Sequence, residues 1–576
     1  MEIHRCQKSP YFIIGIVGII SLIILGNAAA CAQEGSQELS QVVFISCNRH
    51  DKDQGYWDLI AAAVDNKEPV REAKNPRGRV TGSCAAAPPV DALVWLGDVV
   101  YADKCSFLRG CTPNKDVEVM RSKFVQQRNA PEYVAFRHTC VRKRDASPKQ
   151  QQGEMRRVIG VWDDHDMGKN DGGSEYTDKD VVQQFFLDFL GVNGDDPRRK
   201  QRGVYNFETV PFRALGFDAF GGGDSDPTAS AVLNELRRLY DNAVCFLLLD
   251  VRYFRDPVNA SLSGDMLGGE QWAWLERRLR DDIAGQNPAT DRERCAVTVV
   301  GGGVQLIMDE KVSENWGAFP RSRERLFALL RRHHSERVLF VTGDVHLGEI
   351  GMDVTRDAIQ TLGYPIVEAT SSGLTHSAAK FIGLPTLIKM VFPTPRRVGV
   401  YVERNFGIIK LVADPRAFAA LSTGTDKERR HYLEKHINVS ITIRSIPKQG
   451  KEVLKLMLPL SALTYTFGCQ FIQASVDPNG HVFPLKALMG KTCDELQGRN
   501  EGGRTSSSPR PYPSSTPAPI ITYIMRIMQR HVWPHHTLLG VLFEVVQTVV
   551  AVALVAMLTM GLCYCCWSGR MKAKIS

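Results

Sequence analysis

The chain has 576 residues, 44% of them hydrophobic and 23% charged, with a formal net charge of +8. This composition excludes a disordered or collagen-like chain, and the length allows a large core with additional modules. The positive charge is spread out, with no basic run interleaved with aromatics, so nucleic acid is not an expected partner.

Met1 to Pro10 carries His4, Arg5 and Lys8, and an apolar stretch from Tyr11 to Leu25 leads to Ala28-Ala29-Ala30. A charged region, an apolar region and small residues are the pattern of a cleaved secretory signal, taken as residues 1–32. An uncleaved signal anchor shares most of that pattern, and Ala28 to Cys31 is a poor version of a bacterial lipobox.

Four short apolar runs then each stop at metal-ligand or acid/base residues. Val42 to Ile45 runs into Ser46-Cys47-Asn48, and Ala92 to Leu96 into Gly97-Asp98, with Tyr101 shortly after. Val158 to Trp162 runs into Asp163-Asp164-His165-Asp166, and Val338 to Val341 into Thr342-Gly343-Asp344-Val345-His346. In open α/β sheets ligands bind beyond the carboxyl ends of the strands, so four neighbouring strands would bring these side chains to one point.

Helical spacing of apolar residues predicts helices over Tyr56 to Val64, Asp178 to Val192, Gln271 to Leu279 and Arg323 to His333. Further strands are predicted over Val244 to Leu249, before Asp250-Val251-Arg252, and over Ala296 to Val300. Val439 to Ile446 and Val453 to Leu458 flank Pro447-Lys448-Gln449-Gly450 and predict a closing β-hairpin. Strands alternating with helices indicate a layered α/β fold.

Gly502 to Pro519 is rich in Ser, Pro and Thr and reads as a semi-extended linker without a core, after an extension at 464–501. Thr537 to Leu562 is almost wholly apolar, Glu544 being its one formal charge, and is long enough to span a bilayer as a helix. Arg570, Lys572 and Lys574 in the tail, 563–576, favour the cytoplasmic side. Signal and span together predict a single-pass type I protein with its bulk lumenal or extracellular. An oxidising compartment permits disulfides among the cysteines outside the two ends, and their odd count makes Cys47 the candidate free thiol. The sequons at Asn259 and Asn438 fit the same compartment.

Carboxylates and imidazoles at strand ends can hold two metal ions that clamp a phosphoryl group and acidify a bound water. Asp98 and Asp164 suit hard cations; Cys47 and Tyr101 offer thiolate and phenolate, which suit iron. Asp344 and His346, two residues apart, fall on one side of an extended segment. His165 is placed to protonate a leaving oxygen, and Arg252 and Arg255 to grip phosphate oxygens. Singly, each motif has an ordinary structural reading, such as a turn, a packed thiol or a salt bridge. Three carboxylates and an imidazole directly after an apolar strand do not, because burying such charges is costly without metal or partners.

The order SCNRH, GDxxY (Gly97 to Tyr101), WDDHD (Trp162 to Asp166) with Asn170 after it, LDVRYFR (Leu249 to Arg255) and GDVH (Gly343 to His346) resembles the PhoD-like alkaline phosphatases of the calcineurin-like metallophosphatase superfamily. Thr370 to His376 and Asn405-Phe406-Gly407 add to the likeness, which covers about residues 41–463. The resemblance implies a four-layer α/β/β/α sandwich and a binuclear or trinuclear centre of iron with calcium, or other divalent cations. It implies Cys47, Asp98, Tyr101, Asp164, Asp344 and His346 as metal ligands, His165 as the catalytic imidazole, Asn170 at the site and Arg252 on the substrate phosphate. It also implies hydrolysis of phosphomonoesters or phosphodiesters by metal-activated water. Cys47 and Asp164 depart from the Asp-x-His and Gly-Asn-His patterns of the wider superfamily, and the N-terminal β-domain of the bacterial enzymes is absent. The membrane span admits a diesterase acting on lipid or glycolipid headgroups as an alternative. An inactive receptor on a phosphatase scaffold is a further one.

Overall fold

A computed structural model of the chain describes residues 37–65, 83–84, 88–106, 110–144, 156–213, 227–257, 263–310, 314–377, 394–414, 416–417, 425–497 and 512. The predicted signal peptide, membrane span and cytoplasmic tail, most of the linker and the sequon at Asn259 lie outside these residues. Among the described residues no helix is long and apolar enough to cross a membrane.

In chain order the first strands are β1 (Gln37–Ile45), β2 (Ala92–Leu96), β3 (Lys104–Ser106), β4 (Gly110–Thr112), β5 (Val158–Val161) and β6 (Asn206–Val210). The central ones are β7 (Tyr240–Leu248), β8 (Gln286–Asn287), β9 (Arg292–Gly301), β10 (Val338–Thr342), β11 (Gly348–Asp353) and β12 (Ile366–Ser371). The last are β13 (Arg397–Tyr401), β14 (Asn405–Ala413), β15 (Ile437–Ser445), β16 (Lys451–Pro459), β17 (Ser475–Val476) and β18 (Val482–Phe483).

Two large sheets result, giving the mixed α/β class the sequence predicts. One runs β16-β15-β14-β1-β2-β5 and the other β13-β11-β12-β10-β9-β7-β6, with β8 on β9. In the first, β1, β2 and β5 are parallel, and β14 to β16 extend it antiparallel. In the second, β7, β9, β10 and β12 are parallel. The parallel strands β2, β5 and β10 are largely apolar runs buried along their length, as strands covered on both faces should be.

Helices cover these strands with aromatic side chains. Trp95 of β2 packs against Trp57, Tyr133 and Phe189 from the helices Tyr56–Val64, Pro131–Cys140 and Lys179–Leu190, with ring centroids 5.8–6.1 Å away. Phe327 of the helix Pro320–Arg332 packs on Phe340 of β10 at 6.1 Å. One continuous apolar core takes in side chains of both sheets.

Cys84–Cys140, Cys245–Cys295 and Cys469–Cys493 form disulfides, and Cys47 is a buried free thiol, as the sequence predicts. Asn438 is half-buried in β15, with β14 and β16 on either side. The linker does not behave as a coreless segment throughout: Tyr512 is buried against the body and its hydroxyl donates to Asp353 at 2.6 Å.

Candidate metal centre

The two sheets meet at their strand ends through glycines. A Cβ on Gly303, after β9, would lie 2.5 Å from Asp163 Cγ, and one on Gly343 would lie 2.6 Å from both Leu96 O and Ser46 Oγ. Beyond these contacts Cys47, Asp98, Asp344 and His346 all have left-handed backbone, with φ of 59°, 50°, 69° and 54°. Such conformations cost about 1–3 kcal/mol each in a non-glycine residue and cluster at functional sites. Asp344 and His346 therefore do not lie on an extended segment, as their spacing suggests; two left-handed turns aim them instead.

The segment after β5 is likewise not extended. Asp164–Met167 is one short helical turn capped reciprocally by Asp163 and Asp166. Asp166 accepts from the backbone of Val100 at 2.9 Å and of Asp163 at 3.1 Å, so it fastens the turn to the loop after β2. The middle residues, Asp164 and His165, are left facing the cluster.

Three overlapping groups of ligand atoms result, each within 4.8 Å: Cys47, Asp98 and His346; Asp98, Asp164 and His165; Asp163, Asp164 and Asp344. Asp98 and Asp164 are each shared by two groups, the arrangement a bridging carboxylate needs. The Tyr101 hydroxyl joins the first group, 3.3 Å from Asp98 Oδ2 and 3.0 Å from His346 Nε2. All six predicted ligands thus converge.

Electrostatics show what this packing requires. Burial raises the Asp98 and Asp344 carboxyls well above the usual range, neighbouring aspartates adding to the effect. Burial brings Asp163 to about 6, although Arg252 opposes it. Burial also raises the Asp164 carboxyl, but His165, Arg252 and two backbone N–H groups outweigh it and hold it near 2. The Cys47 thiol is pushed up by burial and by Asp98, and His346 is pulled down to about 4 by burial and by His165. Asp98 Oδ1 is buried with no hydrogen-bond partner. Buried carboxylates of this density need cations to be tolerated, and the donor set of carboxylate, imidazole, thiolate and phenolate fits metal ions.

Arg252 reaches the centre but has no exposed surface. It pairs with Asp163 through Nε and with Glu314 through Nη1, and its Nη2 lies 3.9 Å from Asp164 and 3.8 Å from Asp344. Nη2 has no hydrogen-bond partner. Arg255 also pairs with Glu314, and it donates to the backbone of Asp171 and Gly172, which holds the loop after Asp164. Asn170 lies in that loop; its amide donates to Asp171 at 2.8 Å, while the Asp171 N–H donates to Asp164 Oδ2 at 2.7 Å.

Sequence reasoning missed several residues. His376 Nε2 lies 2.7 Å from the Tyr101 hydroxyl and 3.1 Å from His346 Nε2. Ser372 Oγ accepts from the His346 N–H at 2.8 Å and lies 2.9 Å from Cys47 Sγ. Asp103 Oδ2 lies 2.9 Å from His165 Nδ1. The signal for the first two was the run Thr370 to His376 directly after β12, a fifth strand-end cluster. Asp103 and Glu314 had no local signal, and Asp163 was singled out only as part of the cluster after β5.

With this geometry in place, comparison decides the family. The family model described as PhoD-like phosphatase matches residues 74–419. The chain belongs to the PhoD-like phosphatase family. The match takes in every predicted site residue except Cys47, which the parallel pairing of β1 with β2 brings to the site. Alkaline phosphatase D of Bacillus subtilis (strain 168) is 24% identical over 278 residues, 45% of this chain and 42% of that protein. The chain thus spans less than half the length of this PhoD-like relative. A solved structure of PhoD aligns at 13% identity and a TM-score of 0.40, covering 73% of this chain and 72% of its own. GAP50, described as the anchor in the inner membrane complex of Plasmodium, aligns at 10% identity and a TM-score of 0.34, covering 73% and 88%.

Proposed function

We propose that this PhoD-like chain is a membrane-anchored, metal-dependent phosphoester hydrolase, with the layered α/β/β/α body expected of its family. The observation that carries the reading is the run of three ligand groups linked by the shared carboxylates Asp98 and Asp164. Cys47, Asp98, Tyr101, Asp164, Asp344 and His346 hold the centre, and the thiolate and phenolate make iron beside a harder divalent cation the fitting occupants. Bound cations supply positive charge to the phosphoryl oxygens and acidify an attacking water.

The protein's own groups then divide the work. Asp103 accepts at His165 Nδ1, which leaves Nε2 as the atom that delivers a proton to the leaving oxygen. In the metal-free protein burial opposes the charged imidazole, but Asp164, Asp98 and Asp103 outweigh it and raise His165 above its ordinary range. Arg252 braces Asp163 through Nε, and its Nη2, near Asp164 and Asp344 but without a hydrogen bond, is the atom offered to a phosphate oxygen. Asn170 takes part through the loop that fixes Asp164.

The three disulfides support a lumenal or extracellular body, consistent with a signal at 1–32, a domain over 41–463, an extension to 501, a linker at 502–519 and a span at 537–562. The testing experiment is turnover of a panel of phosphomonoesters and phosphodiesters by the purified full chain, before and after chelation. Turnover lost on chelation and restored by metal supports the reading; a chain that turns over no phosphoester with metal restored overturns it.

A further inference from the structure

The extension after β16 collects at one end of the second sheet. The Arg337 N–H donates to Leu463 O at 2.7 Å, the Tyr465 N–H to Glu336 at 2.6 Å, and the Gln473 N–H to Val354 O at 3.2 Å. Glu336 and Arg337 precede β10, and Tyr364, whose ring lies 5.6 Å from that of Tyr465, precedes β12. Val354 follows β11, whose last residue, Asp353, pairs with the first of β12, Ile366. The extension therefore sits at the amino ends of β10 and β12. Asp344, His346 and Ser372 lie beyond their carboxyl ends. At roughly 3.3 Å per residue, the six residues of β12 put about 20 Å between the two.

Tyr512 docks at the same end. Its ring stands 5.0 Å from Phe327, with the Arg396 guanidinium 4.6 Å over it, and its hydroxyl reaches Asp353. Tyr512, 25 residues before Thr537, is thus fixed to the same end of the body.

The extension is also where exposed apolar side chains gather. Phe483, Leu485 and Met489 are 50%, 45% and 61% exposed, with Lys486 and Lys491 exposed among them. The pairing of β17 with β18 and the disulfide Cys469–Cys493 hold this face in shape. Isolated exposed apolar residues are ordinary; a set close together in the chain, at the end of the body where Tyr512 docks, points to a surface that covers it.

We propose that the face formed by residues 476–491 rests at the headgroup boundary of the bilayer that anchors the chain, turning the metal centre away from that bilayer. Phe483, Leu485 and Met489 enter the acyl boundary while the Lys486 and Lys491 ammonium groups meet lipid phosphates. The substrates are then water-borne phosphoesters, not lipids of the same membrane. The inference rests on the anchored reading above.

Hydroxyl-radical labelling of the full chain tests it, comparing phosphatidylcholine/phosphatidylserine vesicles with amphipol, which wraps a spanning segment without offering a plane. Labelling of Phe483, Leu485 and Met489 should fall several-fold in vesicles, while Val119 and Val125, exposed elsewhere, stay unchanged. The double variant Phe483→Ser with Leu485→Ser should lose the protection at Met489 yet remain on the vesicles. Equal labelling in both settings, on vesicles that retain the chain through alkaline carbonate, overturns the proposal. Loss of the chain in carbonate overturns the anchored reading and the proposal with it. Protection in amphipol that grows with protein concentration assigns the face to a second copy and also overturns the proposal.

Discussion

His165 Nδ1 lies 2.9 Å from Asp103 Oδ2, and the imidazole stacks on the Tyr101 ring with centroids 4.0 Å apart. The imidazole proposed as general acid is thus oriented by a buried carboxylate and by the phenol of a proposed metal ligand at once. Partners of this kind, outside the ligand set, are typically worth about 10- to 100-fold in activity or metal affinity. Asp103→Asn should lower kcat for an aryl phosphate by about that factor with KM little changed. A loss confined to KM would contradict the orienting role.

The same pair sets a pH dependence. Asp164, Asp98 and Asp103 outweigh burial and hold the His165 imidazole well above its ordinary value. A general acid is active in its protonated form, so activity falls as pH rises through the imidazole's value, which the Asp103 carboxylate raises. Removing the Asp103 charge lowers that value. The alkaline limb of the kcat profile should therefore move to lower pH in Asp103→Asn, and an unmoved limb would assign it to another group.

Metal removal should make stability depend on pH. Without cations the Asp98 and Asp344 carboxyls are raised by burial, and Asp163 sits at about 6. A carboxyl whose folded value is raised contributes stability that is full below its unfolded value, near 4, and is lost as pH rises through the folded one. The Tm of the chelated chain should fall from about pH 4 to beyond pH 6, whereas the metal-loaded chain stays level. Thermal unfolding of both forms across this range checks it.

Gly97 has φ of +90° and no room for a Cβ, which would meet the Asp163 Cβ at 2.3 Å and its backbone N at 2.9 Å. Gly97→Ala should cost about 2–4 kcal/mol from backbone strain and overpacking together, read as a lowered Tm or lost secretion. Gly191 has φ of +75° and open space around it, so Gly191→Ala carries the strain without the clash and should cost less.

Cys47 and Tyr101 distinguish this centre from an all-carboxylate one. With iron bound, the purified chain should show a visible charge-transfer absorption that changes in Cys47→Ser and in Tyr101→Phe. An identical spectrum in both variants would remove the thiolate and phenolate from the ligand set.

The parallel strands other than β12 and most ligands were legible in the sequence because each ligand follows an apolar run, and strand register brings such ends together. The helices Tyr56–Val64, Lys179–Leu190 and Pro320–Arg332 were legible from their spacing. Contacts between remote positions were not. Asp103 meets His165 across 62 residues and Arg252 meets Asp163 across 89, and neither pair has a local pattern. The left-handed turns at Asp344 and His346 were hidden because alternating positions read as strand. Tyr512 was hidden because its Pro-rich neighbours give no sign of the pocket made by Asp353, Arg396 and Phe327. The aromatic helix Pro131–Cys140 was passed over because its spacing is weakly amphipathic, and packing against Trp57 and Trp95 stabilises it.

The central claim is that Asp98 and Asp164 link a metal centre that hydrolyses phosphoesters. Its most direct test measures bound metal and aryl phosphate turnover together, in the purified wild-type chain and in Asp164→Ala. The wild type should carry more than one metal ion per chain and lose turnover on chelation, and Asp164→Ala should be folded and produced at the normal level with depleted metal and no turnover. Full turnover by Asp164→Ala, or by the metal-free wild type, would contradict the claim.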